Sequence, residues 1–166
     1  MEQVVQAIAA ALTGICPPYV IVFLISMIPI LELRGAILVA LPILQTKVWL
    51  TYIVAVLGNM LPIPFILIFI LRIFEFLKRF KYSAKVVNWL ESKALSKSDQ
   101  IHKYGKWGLF IFVAIPLPGT GAWTGSLLAA LLGFKPKEAL PYIFAGVCTA
   151  GIIMSIVGYG LGALIN

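Results

Sequence analysis

The sequence predicts an all-α integral membrane protein, an inverted repeat of a re-entrant helical hairpin plus a transmembrane helix, with short interfacial helices. Three observations predict it: an apolar composition, a basic charge gathered into one segment, and an order of elements that occurs twice. Of 166 residues, 61% are hydrophobic and 11% charged, where an average soluble domain is about 25% charged. One core of this size cannot hide that much apolar surface from water. Lipid is therefore the solvent for much of the chain, and the length suits a single membrane domain over 1–166.

The net charge of +7 is uneven. Residues 78–106 hold Lys78, Arg79, Lys81, Lys85, Lys93, Lys97, Lys103 and Lys106 against Glu91 and Asp99, a net +6. Basic loops of this length stay in the cytoplasm, and anionic lipid headgroups account for the charge without a nucleic-acid partner.

Along the chain, residues 1–16 read as an N-terminal interfacial helix, Val4–Thr13, too short to cross a core of about 30 Å, with no basic start of a cleaved signal peptide. Pro17 and Pro18 then open a first repeat over 17–77. Its apolar stretch Tyr19–Leu44 is interrupted at Pro29, Glu32, Arg34 and Gly35, leaving two half-membrane pieces. Such a break is tolerated where the backbone is buried in protein or lines a cavity, either as a broken spanning helix or as a hairpin returning to its own side. Trp49–Leu71 is a full span, bent at Gly58, Asn59, Pro62 and Pro64. Arg72 and Glu75 read as a snorkelling pair at its end. The basic segment 78–106 is expected to be interfacial.

The second repeat, 107–166, has the same order. Half-pieces up to Ile115 and from Ala122 to Phe134 flank a break at Pro116-Leu117-Pro118-Gly119-Thr120-Gly121. Lys135 and Lys137 mark a loop, and Ala139–Ile165 spans. Pro116 follows Pro29 by 87 residues, and Lys135 and Gly146 follow Lys47 and Gly58 by 88. Re-entrant hairpins keep Lys135 and Lys137 cytoplasmic, as the charge bias favours, and they make the two halves inverted, an architecture of many secondary transporters.

Glu32 and Arg34 are the sharpest chemical signal. Ionisable groups deep in apolar sequence cost about 2.5–3.5 kcal/mol each on insertion scales and usually face a cavity and a partner. Either they neutralise each other and hold the hairpin, or they form a site in which Glu32 carries a proton and Arg34 forks a phosphate or carboxylate. At i, i+2 they face each other only if the backbone is broken. The break Pro116–Gly121 is either a tight turn or an anion site, with N–H groups around Gly119, Thr120 and Gly121 and the positive end of the helix from Ala122. Trp123 and Thr124 would line it. Gly121/Gly125 and Gly158/Gly162 form GxxxG pairs, best read as helix packing. Asn59 is expected to cap a broken backbone group or line the cavity, and Trp49, Trp89 and Trp107 to anchor at the interface. Cys16, Cys148 and His102 lack metal spacing, so no metal or cofactor is expected. No hydrolase or nucleotide motif is present, and no enzyme is expected.

The stretch Ile30-Leu31-Glu32-Leu33-Arg34-Gly35-Ala36-Ile37, with PLPGTGAWTG at Pro116–Gly125, resembles the small multidrug export protein family, itself similar to the DedA (SNARE-associated, VTT-domain) membrane proteins. The resemblance covers about Ser26 to Gly160. It implies two facing re-entrant hairpins and a transporter in the plasma (inner) membrane. For DedA relatives it implies movement of polyprenyl-phosphate lipids and proton-dependent drug resistance, with acidic and basic hairpin residues that Glu32 and Arg34 match in type. This sequence departs from that pattern in the second hairpin, which has no arginine or acid and would bind through glycine backbone alone.

Three functions follow as expectations. The first is a secondary transporter or flippase for an anionic polyprenyl-phosphate-type lipid, with Arg34 and Gly119–Gly121 on the headgroup and Glu32 exchanging a proton. The second is proton-coupled export of lipophilic cationic drugs, with Glu32 as counter-ion. The third is a non-transporting scaffold docked through 78–106. Two hairpins make a thin wall around a cavity, which a homodimer would thicken.

Overall fold

Prolines place the first boundaries. The computed structural model describes residues 16–40, 44, 46–96, 98–117 and 119–165, without the side chains at 39, 81, 82, 100, 102 and after 158. The interfacial helix expected at Val4–Thr13, Pro118 and the second glycine of the Gly158/Gly162 pair as a packing residue lie outside that description. Helix α1, Pro18–Met27, starts with proline in its first turn, where the missing N–H costs nothing. It stops at Ile28, which is extended (φ −73°, ψ 128°), because Pro29 disfavours helical backbone in the residue before it. Helix α2 follows over Glu32–Ala40. The same rule ends α7, Lys106–Ala114: Ile115 is extended (φ −77°, ψ 119°) before Pro116. Helix α8 then runs over Ala122–Leu131.

Among the described residues, two stretches are long and apolar enough to cross a bilayer, Val48–Leu77 and Pro136–Gly158. The first is α3, Val48–Met60, and α4, Ile63–Leu77, interrupted at Leu61-Pro62 where the expected bend falls. The second belongs to α9, Pro136–Ile165, which keeps Pro141 in its interior. Between the halves lie α5, Lys81–Leu95, and α6, Asp99–Tyr104. The chain is thus all-helical among the described residues, with nine helices. Arg72 and Glu75 stand exposed and make no ion pair with each other; the ion pairs among the described residues are Lys78–Glu91 and Lys106–Glu138.

Helix α1 packs on α2 and α3, and α7 packs on α9 and α8. Helix α2 lies against α9, α8 against α4, and α3 against α9. Glycines allow the closest approaches. A Cβ on Gly58 would strike the Ser26 hydroxyl and come within 2.7 Å of the Phe23 carbonyl. A Cβ on Gly146 would sit 2.7 Å from Val113 and 3.0 Å from the Phe110 carbonyl. Gly125 likewise meets Val113 at 2.6 Å, the helix-packing role expected of it.

The helix starts are tied in pairs. The Lys47 N–H donates to the Tyr19 hydroxyl at 3.3 Å, joining the start of α3 to the start of α1. Lys106 pairs with Glu138 at 2.8 Å and Trp107 meets Tyr142 edge-on, joining the start of α7 to the start of α9. Helix α5 buries Val87 and Ala94 but exposes Val86 and Trp89, with the Lys93 ammonium 4.5 Å over the Trp89 ring.

Candidate functional site at the two helix breaks

The two breaks interlock. Glu32, only 4% exposed, is the first residue of α2 rather than part of an irregular break. Its N–H reaches the Ile28 carbonyl at 2.9 Å, and its backbone is left-handed at φ 51°. A non-glycine residue held there costs on the order of 1–3 kcal/mol, so the surroundings must fix it. What fixes it lies 91 residues on: Glu32 Oε1 accepts the Trp123 backbone N–H at 3.1 Å, with the Ala122 N–H beside it. These are orphan donors at the start of α8, where the helix dipole favours negative charge.

Gly121 makes this approach possible. Its φ of 141° is open to glycine, and a Cβ there would fall inside the Glu32 carboxylate. The N-terminus expected to receive an external anion is thus occupied by the protein's own carboxylate.

Arg34 does the complementary thing at the end of α7. Its Nη1 donates to the Leu117 carbonyl. Its Nη2 donates to the Ile115 carbonyl at 3.3 Å and to the Thr120 hydroxyl at 3.2 Å. The Thr120 hydroxyl has the Ile115 and Leu117 carbonyls both at 2.8 Å, and receives the Leu117 N–H at 3.3 Å. Ile115 caps the end of α7, where a cation matches the negative end of the helix dipole, and Leu117 belongs to the loop beyond it. Glu32 and Arg34 form no ion pair with each other; each holds one lip of the second break. Gly119 takes φ 76° in that loop, 87 residues after Glu32. Pro29 is exposed, Pro116 half-buried, and Gly35 closes the turn of α2 with its N–H on the Leu31 carbonyl at 2.8 Å. Thr124 is half-buried on α8, one residue past the contact.

Three buried polar groups at these elements have no hydrogen-bond partner among the described residues: Arg34 Nε, the Trp123 indole N–H, and both amide atoms of Asn59. Asn59 is fully buried. It caps nothing, since the Leu61 N–H that closes α3 goes to the Leu57 carbonyl. Leaving an amide in this state costs roughly 1–3 kcal/mol. Sequence reasoning missed the Ile115 and Leu117 carbonyls, whose only signal is their place before and after Pro116. An apolar groove of about 250 Å³ lies elsewhere, between Val48, Trp49 and Tyr52 of α3 and Ile152, Ser155 and Ile156 of α9, and contains none of these groups. No metal-holding cluster of three His, Cys, Asp or Glu exists among the described residues.

Apolar helices of spanning length around a buried, charged junction of broken helices define a multi-pass α-helical membrane protein. The family model described as "Putative small multi-drug export protein" matches residues 32–153, and the chain belongs to that family. The match begins at Glu32, directly after the first break, and contains Arg34 and the whole second break. Neither the curated proteins nor the solved structures give a match.

Proposed function

We propose that the protein is a secondary exporter of lipophilic cations in the plasma membrane, with Glu32 as the group that alternately binds substrate and proton. One observation carries this reading: the Glu32 carboxylate is buried at the junction of the two breaks and is held by backbone N–H groups, with no cationic side chain ion-paired to it among the described residues. Arg34 is turned onto carbonyls instead. A buried carboxylate that feels the Arg34 charge but makes no ion pair with it can take a proton or a cation inside a membrane protein. The family's description agrees with export. No covalent step is needed.

Re-entrant hairpins and an inverted repeat are part of the proposal. Support for the first comes from the ties at the helix starts: Tyr19 with Lys47 and Lys106 with Glu138 bring each broken segment back to the side on which it began. Support for the second is the repetition of contacts. Gly58 on Phe23 and Ser26 recurs as Gly146 on Phe110 and Val113, each partner 87 or 88 residues later. The basic segment 78–106 then lies in the cytoplasm. In this scheme the Glu32–Trp123 and Arg34–Thr120 bonds hold the closed state, and alternating access parts them.

Movement of a phosphate lipid would require Glu32 to leave the α8 N-terminus and Arg34 to release three oxygens. The discriminating experiment is transport in proteoliposomes of tetraphenylphosphonium against a short-chain polyprenyl phosphate. Export of the cation alone is expected. Movement of the phosphate lipid alone would replace this reading with lipid translocation, and movement of neither would favour a scaffold.

A further inference from the structure

The two spans differ at one buried position, and the difference is chemical. Asn59 of α3 and Val147 of α9 are 88 residues apart, each directly after the glycine that packs its span against the first hairpin helix. Both are fully buried. Val147 shows what packing alone asks for at this place. Asn59 carries an amide there whose oxygen and nitrogen have no partner among the described residues. Gly58 lies on Ser26, two residues before the first break begins, so Asn59 sits at the depth of the breaks. Four residues on, Ile63 opens the helix that packs on α8. Two further buried donors without partners, the Trp123 indole and Arg34 Nε, belong to the lips of the same junction.

We infer that Asn59 is a substrate-binding residue of the transport path, its amide oxygen accepting a hydrogen bond from an N–H-bearing cation once the two breaks part. The inference rests on the exporter reading and adds to it a preference: cations with N–H donors over cations without them. A buried amide that serves only the open state is a cost in the closed one, and it is the cost that specificity by hydrogen bonding requires.

The test uses purified full-length protein in detergent, with ethidium as the cation bearing amino groups and tetraphenylphosphonium as the cation with no N–H. In Asn59→Val, the residue found at the equivalent position, ethidium affinity is expected to fall about tenfold while tetraphenylphosphonium affinity stays within about twofold. The melting temperature should rise by about 2–4 °C, since an unpartnered amide has gone. Asn59→Leu, with the same branching, should behave alike and guards against a misfit of valine. A lower melting temperature in both variants would make Asn59 a structural residue and overturn the inference, as would equal affinities of the variants for both cations. Failure of the exporter reading is read separately: wild-type protein that binds neither cation, or Glu32→Gln that binds tetraphenylphosphonium as well as wild type, sinks that reading.

Discussion

Glu32 and Arg34 show how two charges are afforded in an apolar chain without pairing to each other. One takes the N–H end of α8 and the other the carbonyl end of α7, so each meets a partial charge of the opposite sign. Arg34→Lys should therefore not be conservative: the planar fork that reaches three oxygens from two separate nitrogens is replaced by a compact, strongly hydrated point charge, and a loss of about 1–3 kcal/mol is expected in denaturant unfolding. Gly121→Ala should be worse, because the new methyl enters the Glu32 carboxylate at a left-handed φ. Unfolding should fall by at least about 2 kcal/mol and cation transport should be lost. The sequence made these residues visible as charges and a glycine turn in apolar surroundings. It could not say that the carboxylate would sit on the N-terminus 91 residues away, because that contact is created by the packing of the halves. It also gave no sign that Asn59 would be left without a partner, since an asparagine beside a helix break is more often satisfied by the broken backbone.

At the scale of elements, several boundaries were legible because proline sets them. Ile28 and Ile115 end their helices for the same local reason, and the bend before α4 falls at Pro62. The extent of the first break was not legible: Glu32 belongs to α2 once its left-handed turn is allowed, and nothing local predicts a glutamate in that conformation. The recurrent glycine contacts give a matched prediction. Gly58→Ala and Gly146→Ala should each destabilise by about 1–3 kcal/mol as overpacking at a helix crossing. Gly58→Ala should cost more, because its methyl meets a backbone carbonyl at 2.7 Å and a hydroxyl besides. Equal melting curves for wild type and both variants would show that these crossings are not close-packed.

At the scale of the whole molecule, composition and the basic segment made the membrane class readable, and the 87- and 88-residue spacings hinted at two related halves. The ties between helix starts turn that hint into a topology that can be measured. In a variant with Cys16 and Cys148 replaced by serine, single cysteines at Lys93 and Lys135 should react with a membrane-impermeant reagent only from the cytoplasmic side, and one at Lys47 only from the outside. Labelling of Lys47 and Lys135 positions from the same side would exclude inverted halves. The most direct measurement of all is pH-gradient-driven ethidium efflux from proteoliposomes holding wild type or Glu32→Gln, matched by melting temperature. The account predicts efflux by wild type and none above empty liposomes by Glu32→Gln; efflux by a folded Glu32→Gln at the wild-type rate would contradict it.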